Sequence, residues 1–365
     1  MLGAIPALII KSHRKTVIYI FTVNLLVVVI SCSTSPDKFE WNNLDFIPLK
    51  SEQINYPKDS VFPPRIKYFH NRIVCVDNYK NNQLIHYLNP TNGKITQSLL
   101  NYGYGPHEFH NIYSLDIISD TLFAAYDIES QIIGTFNPQS ESPKLTKIKL
   151  EHFPVSANFI SKDQFITQPR VLVPLKLIYI YSSSSGLIID RKLDYPLHGQ
   201  NIDPKNAIEA YTYGLVSSPS GQRRLIFFRH SDLMYIVDSS FTIMKSIKGP
   251  HNFDAVFEEH RDGDLFRLLP LTDITRRAYI QAEASEDYFL ALYSGAFSLP
   301  KNNSNASFIR KTFLFQFDWN GVLLKSYELD TYVQAFTVDF EHKIIYGITD
   351  LLQERAIVSY DYSSL

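Results

Sequence analysis

Cysteine is almost missing from this chain, which has only Cys32 and Cys75. A disulfide framework is thereby excluded, since small stapled domains need several pairs, and stability has to come from packing. Cys75 sits in the apolar run Arg72-Ile73-Val74-Cys75-Val76, the pattern of a buried strand, where a thiol packs as a small apolar group. A basic excess is missing too: 35 Lys and Arg stand against 37 Asp and Glu. Nucleic acid is therefore not an expected partner, because phosphate binding needs clustered positive charge. Helical periodicity is scarce, the apolar residues alternating or running continuously instead of recurring at three and four. No Pro/Ser-rich linker divides the chain. The eleven histidines are scattered; no Ser/His/Asp set, metal loop or cofactor motif has specific spacing, so no catalytic residue, metal ligand or cofactor is assigned.

The first 31 residues read as a targeting segment. Lys11, Arg14 and Lys15 form a basic region, and residues 17–30 form an apolar run. At 14 residues that run is short for a membrane-spanning helix, which needs about 20. It ends in Val29-Ile30-Ser31-Cys32, which resembles a bacterial lipobox whose cysteine takes the lipid and becomes the first mature residue. Cys32 is thus the expected lipidation site, with the membrane reached through that anchor. Removing three basic and no acidic residues takes the formal charge from −2 to −5.

What is abundant is Tyr (23) and Phe (25), with turn residues spread evenly, which suits an all-β body. From residue 60 onward a two-part phrase recurs. A polar turn precedes an apolar strand at His70-Asn71, Ser119-Asp120, Lys162-Asp163, Ser220-Gly221, Glu286-Asp287 and Glu341-His342. An alternating strand then ends on Asn89, Asn137, Ser182, Asp238, Asp318 and Asp361, whose side chains can bond the backbone two residues on and start a turn. These markers are 48, 45, 56, 80 and 43 residues apart. Four-stranded propeller blades recur at about 40 to 50 residues. The long periods locate insertions at 197–213, 251–275 and 295–307. The expected fold is a six-bladed β-propeller over 44–365, with 32–43 as a tether. The sixth phrase lacks a fourth strand, and residues 44–49 (Leu-Asp-Phe-Ile-Pro-Leu) are expected to supply it, antiparallel to 355–360. An N-terminal strand would then complete the last blade and close the ring.

Residues 101–112 (Asn-Tyr-Gly-Tyr-Gly-Pro-His-Glu-Phe-His-Asn-Ile) have an echo in 249–256 (Gly-Pro-His-Asn-Phe-Asp-Ala-Val). Both look like equivalent inter-blade connections. Together with the lipobox and the six phrases, Gly103-Tyr104-Gly105-Pro106-His107-Glu108-Phe109 resembles the first inter-blade motif of the TolB-like six-bladed β-propeller lipoproteins of the Bacteroidetes type. Those carry a Gly-x-Gly-Pro-Gly-Glu-Phe-like stretch; here His107 replaces the third glycine. The resemblance implies an envelope-anchored propeller and no agreed activity.

Two readings of that motif follow. Glu108 accepts neighbouring amides and pins a compact loop, or Tyr104, His107 and Glu108 line a mouth of the central channel as a ligand site. In the second reading His251, three blades on, faces His107 across the mouth. The charged run His251, Glu258, Glu259, His260, Asp262 and Asp264 matches no metal loop and reads as a solvated face. Arg276-Arg277 reads as surface charge or as a meeting point for an anion. A non-enzymatic binding or scaffolding lipoprotein of the outer membrane, periplasmic or surface-exposed, with a glycan, peptide or protein partner, fits the tether and the aromatic content. A channel-mouth hydrolase or lyase is the alternative, resting on fold analogy.

If Cys32 carries the lipid, Cys32→Ser loses metabolic labelling by a palmitate analogue and moves to the aqueous phase on detergent partition. Unchanged labelling of the serine variant refutes the anchor.

Overall fold

The computed structural model describes residues 36–57, 64–78, 82–140, 143–150, 154–169, 175–197, 207–262, 265–270, 274–297, 311–351 and 354–363. The signal segment, Cys32, Asp264 and most of the 295–307 insertion lie outside the described residues. Six sheets built on four antiparallel strands follow one another along the chain, and a separate two-stranded hairpin, Phe257–Asp262 with Leu265–Pro270, comes between the fourth and the fifth. Their first strands are Arg65–Phe69, Ile112–Ser119, Pro154–Ser161, Tyr213–Ser217, Tyr279–Ala284 and Val333–Asp339. All six line one axial channel, so they are the innermost strands of a six-bladed propeller. The outermost antiparallel strands are Ile95–Tyr102, Thr146–Lys149, Ile188–Lys192, Ile243–Lys248, Leu323–Leu329 and Glu52–Ile54.

Local chemistry sets the turns. Between the first two strands of blade one, His70 and Asn71 both take positive φ (47° and 57°), as the two-residue hairpin loop matched to strand twist requires. After each third strand the marker side chain accepts the amide two residues on. Asn89 takes that of Thr91, Asn137 that of Gln139, Ser182 that of Ser184, Asp238 that of Ser240, Asp318 that of Asn320 and Asp361 that of Ser363. The turn chemistry read from those positions is therefore present in every blade.

Core residues gather between blades. Phe69, Val74, Ile112 and Phe123 meet between blades one and two; Tyr126, Ile133, Phe165 and Tyr179 meet between two and three. The same happens at each later junction, ending with Ile54, Tyr56, Ile66, Cys75, Tyr346 and Ile357 between six and one. Cys75 is fully buried there, and burial pushes its thiol pKa up, as expected of a packed cysteine. Because both faces of each sheet are apolar, a blade has no solvated side, and the ring must close to hide them.

Closure uses the N-terminal segment, by a different strand from the one expected. Glu52, Gln53 and Ile54 pair antiparallel with Ser359, Val358 and Ile357 and complete blade six. Phe46–Leu49, expected in that place, lies instead parallel to Ser326–Leu329 as a fifth strand on blade five. Its Pro48 is tolerated because an edge strand can lack an amide donor. Residues 37–43, expected to be part of a tether, are also seated. Asp37–Lys38 pairs parallel with Ile247–Lys248 on blade four, and Phe39 sets its ring edge-on to Phe315 and Phe317 at 5.4 and 5.5 Å. The segment is thus a strap across the outer edges of blades four, five and six, tied at Ser51, whose amide donates to Asp330 Oδ2 at 3.0 Å.

Ile54 is 6% exposed. Ile54→Asp should cost about 3 to 5 kcal/mol in urea unfolding, because it puts an unpaired charge into the junction that closes the ring. Phe46→Ala, on the partly buried fifth strand, should cost about 1 to 2 kcal/mol. An Ile54→Asp protein that unfolds like the parent would overturn this account of closure.

Candidate functional site

The two echo segments run from the outermost strand of one blade toward the innermost strand of the next. In the first, Gly103 has φ +153° and a side chain there would meet the Glu108 carboxylate at 2.1 Å. Glu108 Oε2 accepts the Gly105 amide at 2.8 Å, closing the loop on itself. The Lys147 ammonium, on the outermost strand of blade two, donates to the Gly105 carbonyl at 2.9 Å and to that of Glu108. Tyr104 and His107 are exposed. Tyr104 stacks on His110 at 4.6 Å, and His110 lies 2.7 Å from Tyr102 Oη and 2.5 Å from a Glu129 oxygen.

In the second segment Gly249 has φ +144°, and a side chain would meet the Phe39 carbonyl oxygen at 2.2 Å. The strap therefore requires glycine there. Asp232, fully buried, accepts the His251 amide at 2.6 Å and the Tyr293 hydroxyl at 2.8 Å. The His251 ring stacks on Trp41 at 4.8 Å, with Nδ1 2.8 Å from Tyr293 Oη. Burial holds His251 below the usual histidine range and lifts Asp232 to about 6. Tyr104, His107, Glu108 and His251 are thus held at the outer strands of blades one and two or of four and five, His251 stacked on Trp41 of the strap. None of the four lines the channel, and the structure does not bring His107 and His251 together across a mouth.

The channel has its own chemistry. The end at which the inner strands begin opens into a cavity of about 300 Å³, lined by Arg65, Tyr113, Ser156, Asn158, Arg229 and Gln281 among others. The end at which they finish opens into one of about 500 Å³. Lys67, Asp116, Asn158, Leu215 and Ala282 line both and so mark the waist between them. Here Lys67 Nζ of blade one meets Glu283 Oε1 of blade five at 2.8 Å. Burial works against the Lys67 ammonium, yet Glu283 keeps its pKa above the usual lysine value. Asp116 Oδ2 of blade two accepts the Phe159 amide of blade three at 2.9 Å. Burial raises Asp116 to about 6, against that hydrogen bond and the charge of Lys67. Gln281 spans blades five and six, donating to the Phe336 carbonyl at 2.5 Å and accepting its amide at 3.2 Å. Among the described residues, no three His, Cys, Asp or Glu side chains come together as a cation site.

The sequence matches the family described as TolB-like 6-blade propeller-like over residues 45–341. The chain belongs to the TolB-like six-bladed propeller family. Among solved structures, a Bacteroides vulgatus member of the DUF4221 family superposes on this TolB-like chain with TM-score 0.62 at 11% identity, covering 87% of this chain and 97% of its own. A Bacteroides fragilis protein designated as exported gives TM-score 0.55 at 12% identity, covering 89% of this chain and 98% of its own. At such identities the likeness is one of fold. No protein of curated function matches the sequence.

The waist and mouth residues of this TolB-like propeller were missed from sequence, although a signal exists. Polar residues two apart interrupt the first strand of four phrases: Arg65/Lys67, Ser114/Asp116, Ser156/Asn158 and Gln281/Glu283. The second member of each pair precedes the polar turn by three or four residues, and the pairs face the channel.

Asp116 also makes a pH prediction. Its folded pKa lies above the ordinary aspartate value, so its contribution to stability is present at pH 4 and below and is lost as pH rises toward and through 6. Comparing wild type with Asp116→Asn cancels the similar behaviour of Asp232. The variant should gain stability relative to wild type between pH 4 and 7 in urea titrations. A difference that is flat with pH would refute the raised pKa.

Proposed function

We propose that this chain is an exported binding propeller, anchored to the outer membrane by lipid on Cys32, that receives part of a glycan, peptide or protein partner in its axial channel. The observation that carries the reading is the waist. With Lys67 committed to Glu283 at 2.8 Å and Asp116 tied to the Phe159 amide, the channel narrows at mid-depth into two cups. The upper cup, at the end where the inner strands begin, offers amide, hydroxyl, guanidinium and aromatic groups from several blades, a wall suited to holding a small polar group. Its 300 Å³ lies at the lower end of small-molecule sites, so a macromolecular partner would insert only a terminal sugar or residue. The exported designation of the B. fragilis neighbour supports an envelope or secreted location.

A second reading, hydrolase or lyase, has one observation in its favour. A carboxyl at about 6 is suited to general acid–base work near neutral pH.

Ser156→Trp, which places an indole in the upper mouth, tests the first reading on glycan and peptide arrays. Ligands held by wild type should be lost from this variant while Tm changes by no more than about 3 °C. Equal retention by the variant refutes the channel as the site. Turnover of a retained ligand that Asp116→Asn abolishes would establish the second reading.

A further inference from the structure

Arg229 directly follows the strand Arg223–Phe228 and lines the mouth of the upper cup together with Arg65 and Tyr113. Arg65 is already engaged. Its guanidinium lies 4.5 Å over the Tyr113 ring and reaches the Ile112 carbonyl at 3.4 Å. Arg229 is not: among the described residues, no carboxylate pairs with its guanidinium. Its electrostatic neighbours are the Tyr113 hydroxyl and a second cation, Arg277, which is itself within 3.4 Å of Tyr332 Oη.

The Arg229 side chain is exposed at this mouth, so an anion can reach its guanidinium without displacing a protein partner. Arg277, a neighbouring cation, opposes the charge on Arg229. The next residue senses the same field. Burial, with Arg277 and Arg229 adding to it, brings His230 down to about 4, so His230 stays neutral at physiological pH and adds no compensation. The acids of the channel lie deeper, at the waist, where Glu283 is paired with Lys67. The mouth therefore presents positive charge with planar fork geometry; beneath it lie the neutral amides of Asn158 and Gln281, and below them Lys67 and the Asp116 carboxyl, which is tied to the Phe159 amide.

We propose that the upper mouth binds a small organic anion, its carboxylate or phosphate received by Arg229 beside Arg65, with a polar body resting on the channel amides. This deepens the binding reading above and rests on it. Guanidinium is the side chain best shaped for such oxyanions, since two parallel N–H bonds match two oxygens. A 300 Å³ cup admits a ligand of monosaccharide or dipeptide size.

The test is isothermal titration of the full chain, purified in detergent, with D-galacturonate, glucose 6-phosphate and neutral D-galactose. At least one of the two acids should bind about tenfold or more tightly than galactose. Galacturonate alone would assign a carboxylate ligand, and glucose 6-phosphate alone a phosphate. Arg229→Gln should weaken the acid about tenfold or more with Tm unchanged, and raising salt should weaken it further. Ser156→Trp should abolish binding of all three. Galactose binding as tightly as the acids, indifferent to Arg229→Gln but lost in Ser156→Trp, would overturn the anion inference and leave the channel reading standing. Binding that survives Ser156→Trp would overturn both, and absence of binding by either acid would overturn the anion inference alone.

Discussion

Three residue pairs hold the ring together. A propeller blade buries apolar side chains on both faces, so each sheet is unstable alone and needs a neighbour on either side. Five junctions form between blades that follow one another in sequence; the sixth must join the two ends of the chain. It forms because Glu52–Ile54 lies against Ser359, Val358 and Ile357 and carries Ile54 into the apolar cluster with Ile66, Cys75 and Tyr346. Without that strand the outer edge of blade six has open amides and carbonyls, and Ile54 no longer fills the junction. The strap before it shares the load. Its turn from blade five to blade six is fixed at Asp330, and its start is seated on blade four through Asp37–Lys38, with the Phe39 ring against Phe315 of blade five.

Closure has a consequence at the axis. Innermost strands converge with one edge unpaired by any backbone partner, and neighbouring side chains take up part of that polarity. Ser114 Oγ donates to the Ala157 carbonyl, Thr337 Oγ1 accepts the Tyr68 amide, and Gln281 bonds both backbone groups of Phe336. Each of these links adjacent blades at the channel wall. The wall that stabilises the ring is also the wall a ligand would touch, which is why polar residues occur there in strands whose other side chains are core.

The glycine-rich crossovers, by contrast, spend their chemistry on architecture. Glu108 is turned onto its own loop and Asp232 is enclosed by the segment after Gly249. Gly249 is required by the Phe39 carbonyl of a strap about 200 residues earlier in the chain. A dense, unusual motif is easily taken for a ligand site; here its polar groups are largely consumed in holding outer strands together.

The sequence by itself determined the blades. The turn at His70-Asn71 acts through its own backbone conformation, Asn89, Asp238 and Asp318 act through bonds to residues two to four positions away, and strand alternation acts over one strand, so all are legible locally. Cys75 was legible for the same reason, as part of a continuous apolar run. The closing strand was legible only in kind. Residues 44–49 and 52–54 are both short and β-prone, and nothing local says which of them meets Ile357. That choice depended on where the strap could seat Trp41 and Phe46, against Phe313 and Phe315, residues more than 250 positions away. The waist was decided by tertiary structure for the same physical reason. Lys67, Asp116 and Glu283 lie in three different blades, and their charges act on one another only because ring closure brings three strands, far apart in sequence, to a single axis.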